Sequence, residues 1–277
     1  MWHSRIPRTL AVLTAGIGLS IAGLIMQSLT NNKFVSPTTA GTLEGARLGI
    51  ILSLLLIPAA GMFLMGIFAF VFTMLTTLVF ILMLERIKIK NSTLVPLIGI
   101  IYGGIIGSVA LFIAMQMDMV QNAVTLMIGD FSLVLSGHYE IIFLTIPLII
   151  IAYIYANRFM IAGVGEDFAK NLGLNYRLTI NIGLVIVAMI TTLVLLVAGV
   201  IPFLGLIVPN IVTIFLGDNV KRTLPVTALA GGLFLLICDV LARLIIFPYE
   251  IPVSLVVGII GAAIFIVLLI RGRKHAI

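Results

Sequence analysis

The stretch that decides the fold is MFLMGIFAFVFTMLTTLVFILML, residues 62–84, which contains no charged side chain. An α-helix needs about 20 apolar residues to cross the hydrocarbon core of a bilayer, so this run is long enough to span it. Its apolar residues are continuous and do not alternate with polar ones, which disfavours a transmembrane strand. The stretch therefore predicts a membrane-spanning helix.

The rest of the 277-residue chain has the same character. Hydrophobic residues make up 62% of it, charged residues only 9%, and the mean hydropathy is +1.31, which is far from the composition of a soluble domain. We predict an all-α fold, a single polytopic transmembrane helical bundle over residues 1–277. About nine helices are expected, at residues 9–26, 41–57, 62–84, 94–116, 141–156, 179–200, 203–216, 225–247 and 252–270.

The positions of the basic residues indicate the orientation. They occur at alternate connections, which the positive-inside rule assigns to the cytoplasm: Lys33, Arg86, Lys88, Lys90, Arg158, Lys170, Arg177, Lys221, Arg222, Arg271, Arg273 and Lys274. We therefore interpret the net charge of +6 as a topology signal and expect no nucleic-acid partner. The longest connection, residues 117–140, faces outward and is expected to be partly helical, outside the bilayer or dipping into it. Arg5 and Arg8 are left as exceptions on the outer side.

Two series of glycines predict close helix packing. Gly41, Gly45 and Gly49 recur every four residues, as do three glycines at positions 99, 103 and 107. Such spacing gives a helix a face without side chains, where another backbone can approach. We interpret both series as packing surfaces within one chain.

Motifs for chemistry are missing from the sequence. It contains neither a GxxxxGK[ST] phosphate-binding loop nor an HExxH zinc motif. His3, His138 and His275 are far apart, and Cys238 is the only cysteine, so we expect no metal site, no cofactor and no catalytic residue. The protein is predicted not to be an enzyme.

Two pairs of opposite charges fall within predicted spans. Asp239 and Arg243 are four residues apart, so they can form an ion pair on one helix face, or Arg243 can turn to an outward-facing partner. Glu44 and Arg47 lie on adjacent turns, and a packing or gating pair is favoured there over a substrate site.

A polar connection, GVGEDFAKNLGLNYR at residues 163–177, lies on the predicted cytoplasmic side. The acidic pair Glu166 and Asp167 and a stop at Gly173 predict a short surface helix over residues 166–172. An ordinary solvated connector is the alternative. A helix at this position is also what a permease needs to receive motion from a separate ATPase.

Five blocks spread over the whole chain carry a resemblance to a known family. They are SRIPRTLAVL from Ser4, GLIMQSLTNNKFVSPTTAG at residues 23–41, the Gly165/Glu166 and Leu172/Gly173 loop, PFLGLIVPN from Pro202 and DVLARLIIFPYEIP from Asp239. This pattern resembles the permeases of iron-siderophore and vitamin B12 ABC importers of the bacterial cytoplasmic membrane. NNKFVSPTTAG and VPN look most like permeases for catecholate siderophores, of the petrobactin or enterobactin type.

The resemblance implies a fold and a set of partners. The family has ten helices with both ends in the cytoplasm, and this chain begins where the second begins, so a first helix is expected to be absent. The implied partners are a second permease chain, two ATPase subunits on the cytoplasmic side, an extracellular substrate-binding lipoprotein and a ferric siderophore. Transport would proceed by alternating access.

The resemblance also implies roles for individual residues. The residues expected to bind the substrate-binding protein are Arg5, Arg8 and Arg243. The residues expected to contact the ATPase are Gly165, Glu166, Asp167, Ala169, Leu172 and Gly173. The residues expected to line the translocation path or its gate are Gln27, Pro209 and Asn210. Many relatives carry histidine where this chain has Asn210.

Two other classes compete with this interpretation. An ion-coupled secondary transporter for a small solute would need buried carboxylates or broken helices at mid-membrane. Asp239 is a poor candidate for such a site because Arg243 is close to it in sequence. An intramembrane enzyme is opposed by the missing catalytic constellation.

Overall fold

The structure is a computed structural model that describes residues 5–58, 60–87, 94–121, 128–132, 134 and 139–274. Within these residues the chain forms ten α-helices, joined in two places by 3-10 turns at Pro37–Ala40 and Glu140–Leu144. The helices are α1 (Arg5–Leu29), α2 (Thr42–Leu56), α3 (Met62–Ile87), α4 (Leu94–Gln116), α5 (Thr145–Val164), α6 (Glu166–Asn171), α7 (Tyr176–Ala198), α8 (Leu204–Leu216), α9 (Val220–Leu244) and α10 (Val253–Lys274).

This architecture confirms the predicted all-helical bundle. Each predicted span has a helix at its position, and the tenth helix is α6, at the predicted cytoplasmic surface helix. Among the described residues, seven helices are long and apolar enough to cross a membrane: α1, α3, α4, α5, α7, α9 and α10. Of the connection at residues 117–140, where a helical segment is expected, residues 122–127, 133 and 135–138 lie outside the described residues.

Helix α1 lies at the centre of the bundle and packs against α5, α7, α8 and α9. Small residues make this possible. A Cβ atom on Gly16 would lie 2.5 Å from the carbonyl oxygen of Gly231 in α9, and one on Gly23 would overlap the backbone at Gly205 in α8. The backbone of α1 therefore contacts the backbones of two other helices directly.

The predicted glycine face of α2 packs against α3. A Cβ atom on Gly45 would lie 3.0 Å from the Cα of Thr73, and one on Gly49 would lie 2.8 Å from the Cα of Ala69. Across α2, the Glu44 side chain lies over Gly107 of α4, where a Cβ atom would come within 2.7 Å of its carboxylate. Glycines thus allow α2 to fit between two longer helices.

Helices α2 and α8 are short because both begin inside the bundle. A Cβ atom on Gly205, at the start of α8, would lie 2.8 Å from the carbonyl oxygen of Leu19 in the middle of α1 and 2.8 Å from Pro37. The Thr73 hydroxyl, in the middle of α3, donates to the carbonyl of Thr42 at the start of α2. Irregular backbone at this depth is tolerated because protein surrounds it instead of lipid.

Candidate functional site: three groups of residues across the membrane

The outer charge cluster consists of Arg8, Asp239, Arg243 and Glu250. Asp239 in α9 is fully buried, and its Oδ1 accepts hydrogen bonds from Arg8 Nε at 3.1 Å and Arg8 Nη2 at 2.8 Å. Its Oδ2 accepts a hydrogen bond from Arg243 Nη2. The remaining terminal nitrogen of Arg8, Nη1, donates to Glu250 Oε2 at 2.5 Å. One buried carboxylate therefore holds two arginines, and a second carboxylate caps one of them.

The cluster joins parts of the chain that are far apart in sequence. Arg8 near the start of α1 and Asp239 in α9 are 231 residues apart, while Glu250 lies on the connection between α9 and α10. The intrahelical pair of Asp239 and Arg243 forms as the four-residue spacing predicts. Nothing in the local sequence points to Arg8 as the other partner, because long-range pairing leaves no trace in residue spacing.

The three arginines predicted to receive the binding protein lie at one end of the bundle but differ in access. Arg8 is only 7% exposed, Arg243 is partly exposed and Arg5 is exposed. Within this group of five residues, three arginines against Asp239 and Glu250 leave one positive charge in excess. The docking role of these residues remains a prediction.

The end of the bundle that the sequence predicts to face the cytoplasm carries α6, which has a defined stop. The helix ends in a Schellman motif: the Gly173 N–H donates to the Lys170 carbonyl at 2.9 Å, and the Leu174 N–H donates to the Ala169 carbonyl at 3.0 Å. Gly173 has a φ of 74°, a left-handed conformation that favours glycine. The glycine stop seen in the sequence is therefore a geometric requirement.

Helix α6 presents a short apolar ridge to the predicted cytoplasmic side, made of Phe168 and of Leu172 at its C-cap. These two side chains, four residues apart, are 49% and 59% exposed, whereas Ala169 is fully buried and anchors the helix. Beside the ridge, Lys170 Nζ lies 2.8 Å from Glu166 Oε1. The hydrogen bond from Lys170 lowers the pKa of Glu166. Exposed apolar side chains on a fixed helix are typical of a protein contact.

The three predicted path residues are brought together around α8. Pro209 has no backbone N–H, so the carbonyl of Gly205 lacks its usual helical donor. The side-chain amide of Gln27 approaches this carbonyl at 3.4 Å and the carbonyl of Leu206 at 3.1 Å. Gln27 therefore supports the irregular turn of α8 from the neighbouring helix.

Asn210 connects the same turn to the cytoplasmic loop that follows α1. Its Nδ2 donates to the Lys33 carbonyl at 2.7 Å and to the Leu206 carbonyl at 2.9 Å. Its Oδ1 is buried and has no hydrogen-bond partner. Asn210 also lines a mainly apolar cavity of about 980 Å³ between α8 and α10, to which Phe34 and Phe265 contribute.

Among the described residues, seven helices long and apolar enough to cross a membrane, packed with the shorter helices α2 and α8, define a multi-pass membrane protein. The chain belongs to the FecCD transport family, whose model matches residues 1–271. This membership confirms the resemblance found in the sequence. It also establishes the chain as a permease subunit of an ABC importer in the cytoplasmic membrane and not an enzyme.

Several known proteins are similar to this chain. It is 52% identical to the petrobactin import system permease protein YclN of Bacillus subtilis, over 100% of the chain and 87% of that protein. It is 40% identical to the ferric-anguibactin transport system permease protein FatD of Vibrio anguillarum, over 98% of the chain and 86% of that protein.

Solved structures share the fold. An inward-facing structure described as a metal-chelate type ABC transporter matches with a TM-score of 0.80 at 23% identity, over 97% of this chain and 86% of that one. PsaBC from Streptococcus pneumoniae, in complex with Fab, matches with a TM-score of 0.63 at 17% identity, over 93% of this chain and 88% of that one.

Proposed function

We propose that this permease carries a ferric siderophore of the catecholate type across the cytoplasmic membrane. The relatives named for petrobactin and ferric-anguibactin transport support a siderophore as cargo. The sequence blocks NNKFVSPTTAG and VPN favour the catecholate class. No bond of the siderophore is broken in this chain, because its task is alternating access.

The observation that carries the transport mechanism is the apolar ridge of α6. A permease driven by a separate ATPase needs a rigid contact on its cytoplasmic face, and Phe168 and Leu172 offer one at a helix anchored by Ala169. We assign Gly165, Glu166, Asp167, Ala169, Leu172 and Gly173 to this contact. Two ATPase subunits would bind two permease chains in this way.

The outer end is assigned to the substrate-binding lipoprotein. Arg5, Arg8 and Arg243 form a positively charged area there, which would steer an acidic docking surface and fix its orientation. The exposure of Arg5 and the partial exposure of Arg243 leave them accessible to such a partner.

The path between the two ends is assigned to the surroundings of α8. Gln27, Pro209 and Asn210 surround its irregular turn, and the cavity of about 980 Å³ begins at Asn210. Helices that begin at mid-membrane can change their packing with small movements of their neighbours. This arrangement favours a gate at the α8 turn.

An ion-coupled secondary transporter is the rival function. Its coupling site would need an available carboxylate at mid-membrane. Among the described residues, Asp239 is committed to two arginines, and Glu44 lies 3.7 Å from Arg47. Both carboxylates thus have a nearby counter-ion, which opposes a role in binding a coupling cation.

The test is uptake of radioactive iron by cells with and without this chain, supplied as ferric catecholate or as ferric hydroxamate. Selective loss of catecholate-bound iron in the deletion supports the proposed cargo, and loss of hydroxamate-bound iron alone contradicts it. Depleting ATP with the membrane potential maintained should abolish uptake. Continued uptake driven only by an ion gradient would support the secondary transporter.

A further inference from the structure

The guanidinium of Arg8 is divided between two carboxylates of different character. Its Nε and Nη2 face Asp239, which is fully buried within α9, and its Nη1 faces Glu250. Glu250 is 40% exposed and lies on the connection between α9 and α10, outside any helix. One contact of Arg8 is therefore buried, whereas the other is accessible to a partner.

The two contacts differ in the cost of breaking them. Removing Asp239 from the arginines would leave two buried or half-buried cations without their counter-ion, which is strongly unfavourable. Releasing Glu250 returns a half-exposed carboxylate to water, and Arg8 keeps Asp239 as its counter-ion, so this contact costs less to break. An incoming carboxylate can thus take the Nη1 position while Asp239 continues to hold Arg8 in place.

We propose that Glu250 is an internal substitute for an acidic side chain of the docking partner. In the free permease it occupies Arg8, and during docking a carboxylate of the partner displaces it. Asp239 is a positioning residue that fixes Arg8 and Arg243 for this exchange. The partner that fits this surface is a protein with an exposed carboxylate surrounded by apolar surface, because Phe247 and Tyr249 beside Glu250 are also exposed. This inference rests on the proposed docking role of the outer arginines.

The consequence is a competition that limits affinity. While Glu250 holds Arg8, the partner must displace it, so the permease binds the partner more weakly than it otherwise would. Such a competition shortens the lifetime of the docked complex and favours release after each cycle. It also discriminates against surfaces whose carboxylate cannot reach the position of Nη1.

The test compares Glu250→Gln with wild type in the assembled importer in lipid nanodiscs. The probe is the substrate-binding lipoprotein that supports uptake by this permease, prepared without its lipid anchor. The Kd should fall about fivefold, because one partly exposed ion pair no longer has to be broken on docking. Asp118→Asn is the matched control, because it removes a carboxylate from the outer side near the end of α4, and it should leave the Kd unchanged.

A double-mutant cycle tests whether Glu250 acts through Arg8. Lysine has a single ammonium group, so it cannot hold Asp239 and also offer a separate nitrogen to Glu250 as the guanidinium of Arg8 does. Glu250→Gln should therefore have no effect on the Kd when Arg8 is replaced by Lys. A Kd for Glu250→Gln equal to that of Asp118→Asn would overturn the inference, as would the same gain in the Arg8→Lys background. Thermal unfolding of each variant checks that the bundle is intact.

Failure of this inference is distinct from failure of the docking role. If Arg5→Gln and Arg243→Gln weaken binding but Glu250→Gln does not strengthen it, the arginines bind the partner and the exchange is wrong. If the two arginine variants bind as tightly as wild type, the docking role itself is wrong.

Discussion

The side-chain amide of Gln27 in α1 approaches the carbonyl oxygen of Gly205 in α8, 178 residues further along the chain. This is the carbonyl that Pro209 leaves without a helical donor. A second carbonyl, of Leu206, lies closer to the same amide, at 3.1 Å. A path residue predicted from sequence resemblance is therefore also a structural support for the irregular helix.

Replacing Gln27 with Leu should lower the thermal unfolding temperature of the purified permease. The substitution leaves the Gly205 carbonyl without a donor in a buried site, at a cost of about 1–3 kcal/mol. Gln116→Leu makes the same chemical change at an exposed position at the end of α4 and should have little effect. Equal unfolding temperatures for the two variants would contradict the supporting role of Gln27.

Gly16→Ala should destabilise the bundle although alanine is the better helix former. Its Cβ atom would lie 2.5 Å from the carbonyl oxygen of Gly231, so α1 and α9 would have to separate. Gly104→Ala is the control, since a Cβ atom there meets no other atom within 4 Å and should gain up to about 1 kcal/mol from helix propensity. Thermal unfolding should move in opposite directions for the two variants.

Arg8→Gln and Arg5→Gln should have different effects on stability. Loss of Arg8 removes both hydrogen bonds to the buried Asp239 and should cost about 2–3 kcal/mol, because hydrogen bonds to charged groups are the stronger ones. Arg5 is exposed, so its loss should leave the unfolding temperature unchanged while weakening docking. A stable Arg8→Gln variant would show that the outer charge cluster does not hold α1 to α9.

Phe168→Ser should uncouple transport from ATP hydrolysis. The side chain is exposed, so the fold should tolerate the change, but the apolar ridge of α6 would lose its aromatic member. Iron uptake should fall by about tenfold or more, as is usual when a buried aromatic anchor of an interface is removed. Ile146→Ser is the control, an exposed apolar residue near the outer end of α5, and it should transport normally.

The contribution of Glu166 should not change with pH in the physiological range. Its pKa is lowered below the ordinary value of 4.5 by Lys170, so the carboxylate is ionised throughout this range. Its contribution to α6 is fully present above the unfolded value and is lost only as the pH falls through the lower folded value. The ratio of uptake by Glu166→Gln to uptake by wild type should therefore be constant between about pH 5.5 and 8.

The sequence was sufficient to predict which segments form helices, but it predicted less accurately where each helix begins and ends. Apolar runs locate the spans because every backbone polar group in lipid must be satisfied within a helix. The run at residues 141–156 extends to Val164 in the structure, because the amphipathic residues that follow continue the helix beyond the apolar run. Likewise α9 begins at Val220, before Pro225, since the Asn219 side chain caps its first turn by accepting from the Arg222 N–H.

The candidate sites were predictable only where their chemistry is local. The i,i+4 spacing revealed Asp239 with Arg243, and the glycine stop revealed the end of α6. Contacts of Arg8 with Asp239 and of Gln27 with Gly205 join the first helix to the last third of the chain. Such pairings depend on how helices are arranged, and residue spacing contains no information about that arrangement.

The shortness of α2 affects how the protein enters the membrane during synthesis. With 15 residues, of which Glu44 and Arg47 are charged, this helix is a poor substrate for insertion by a translocon, which selects segments by length and apolarity. Its glycine face is complementary to α3, which is apolar throughout most of its length. We therefore expect α2 to enter the bilayer together with α3, as one hairpin.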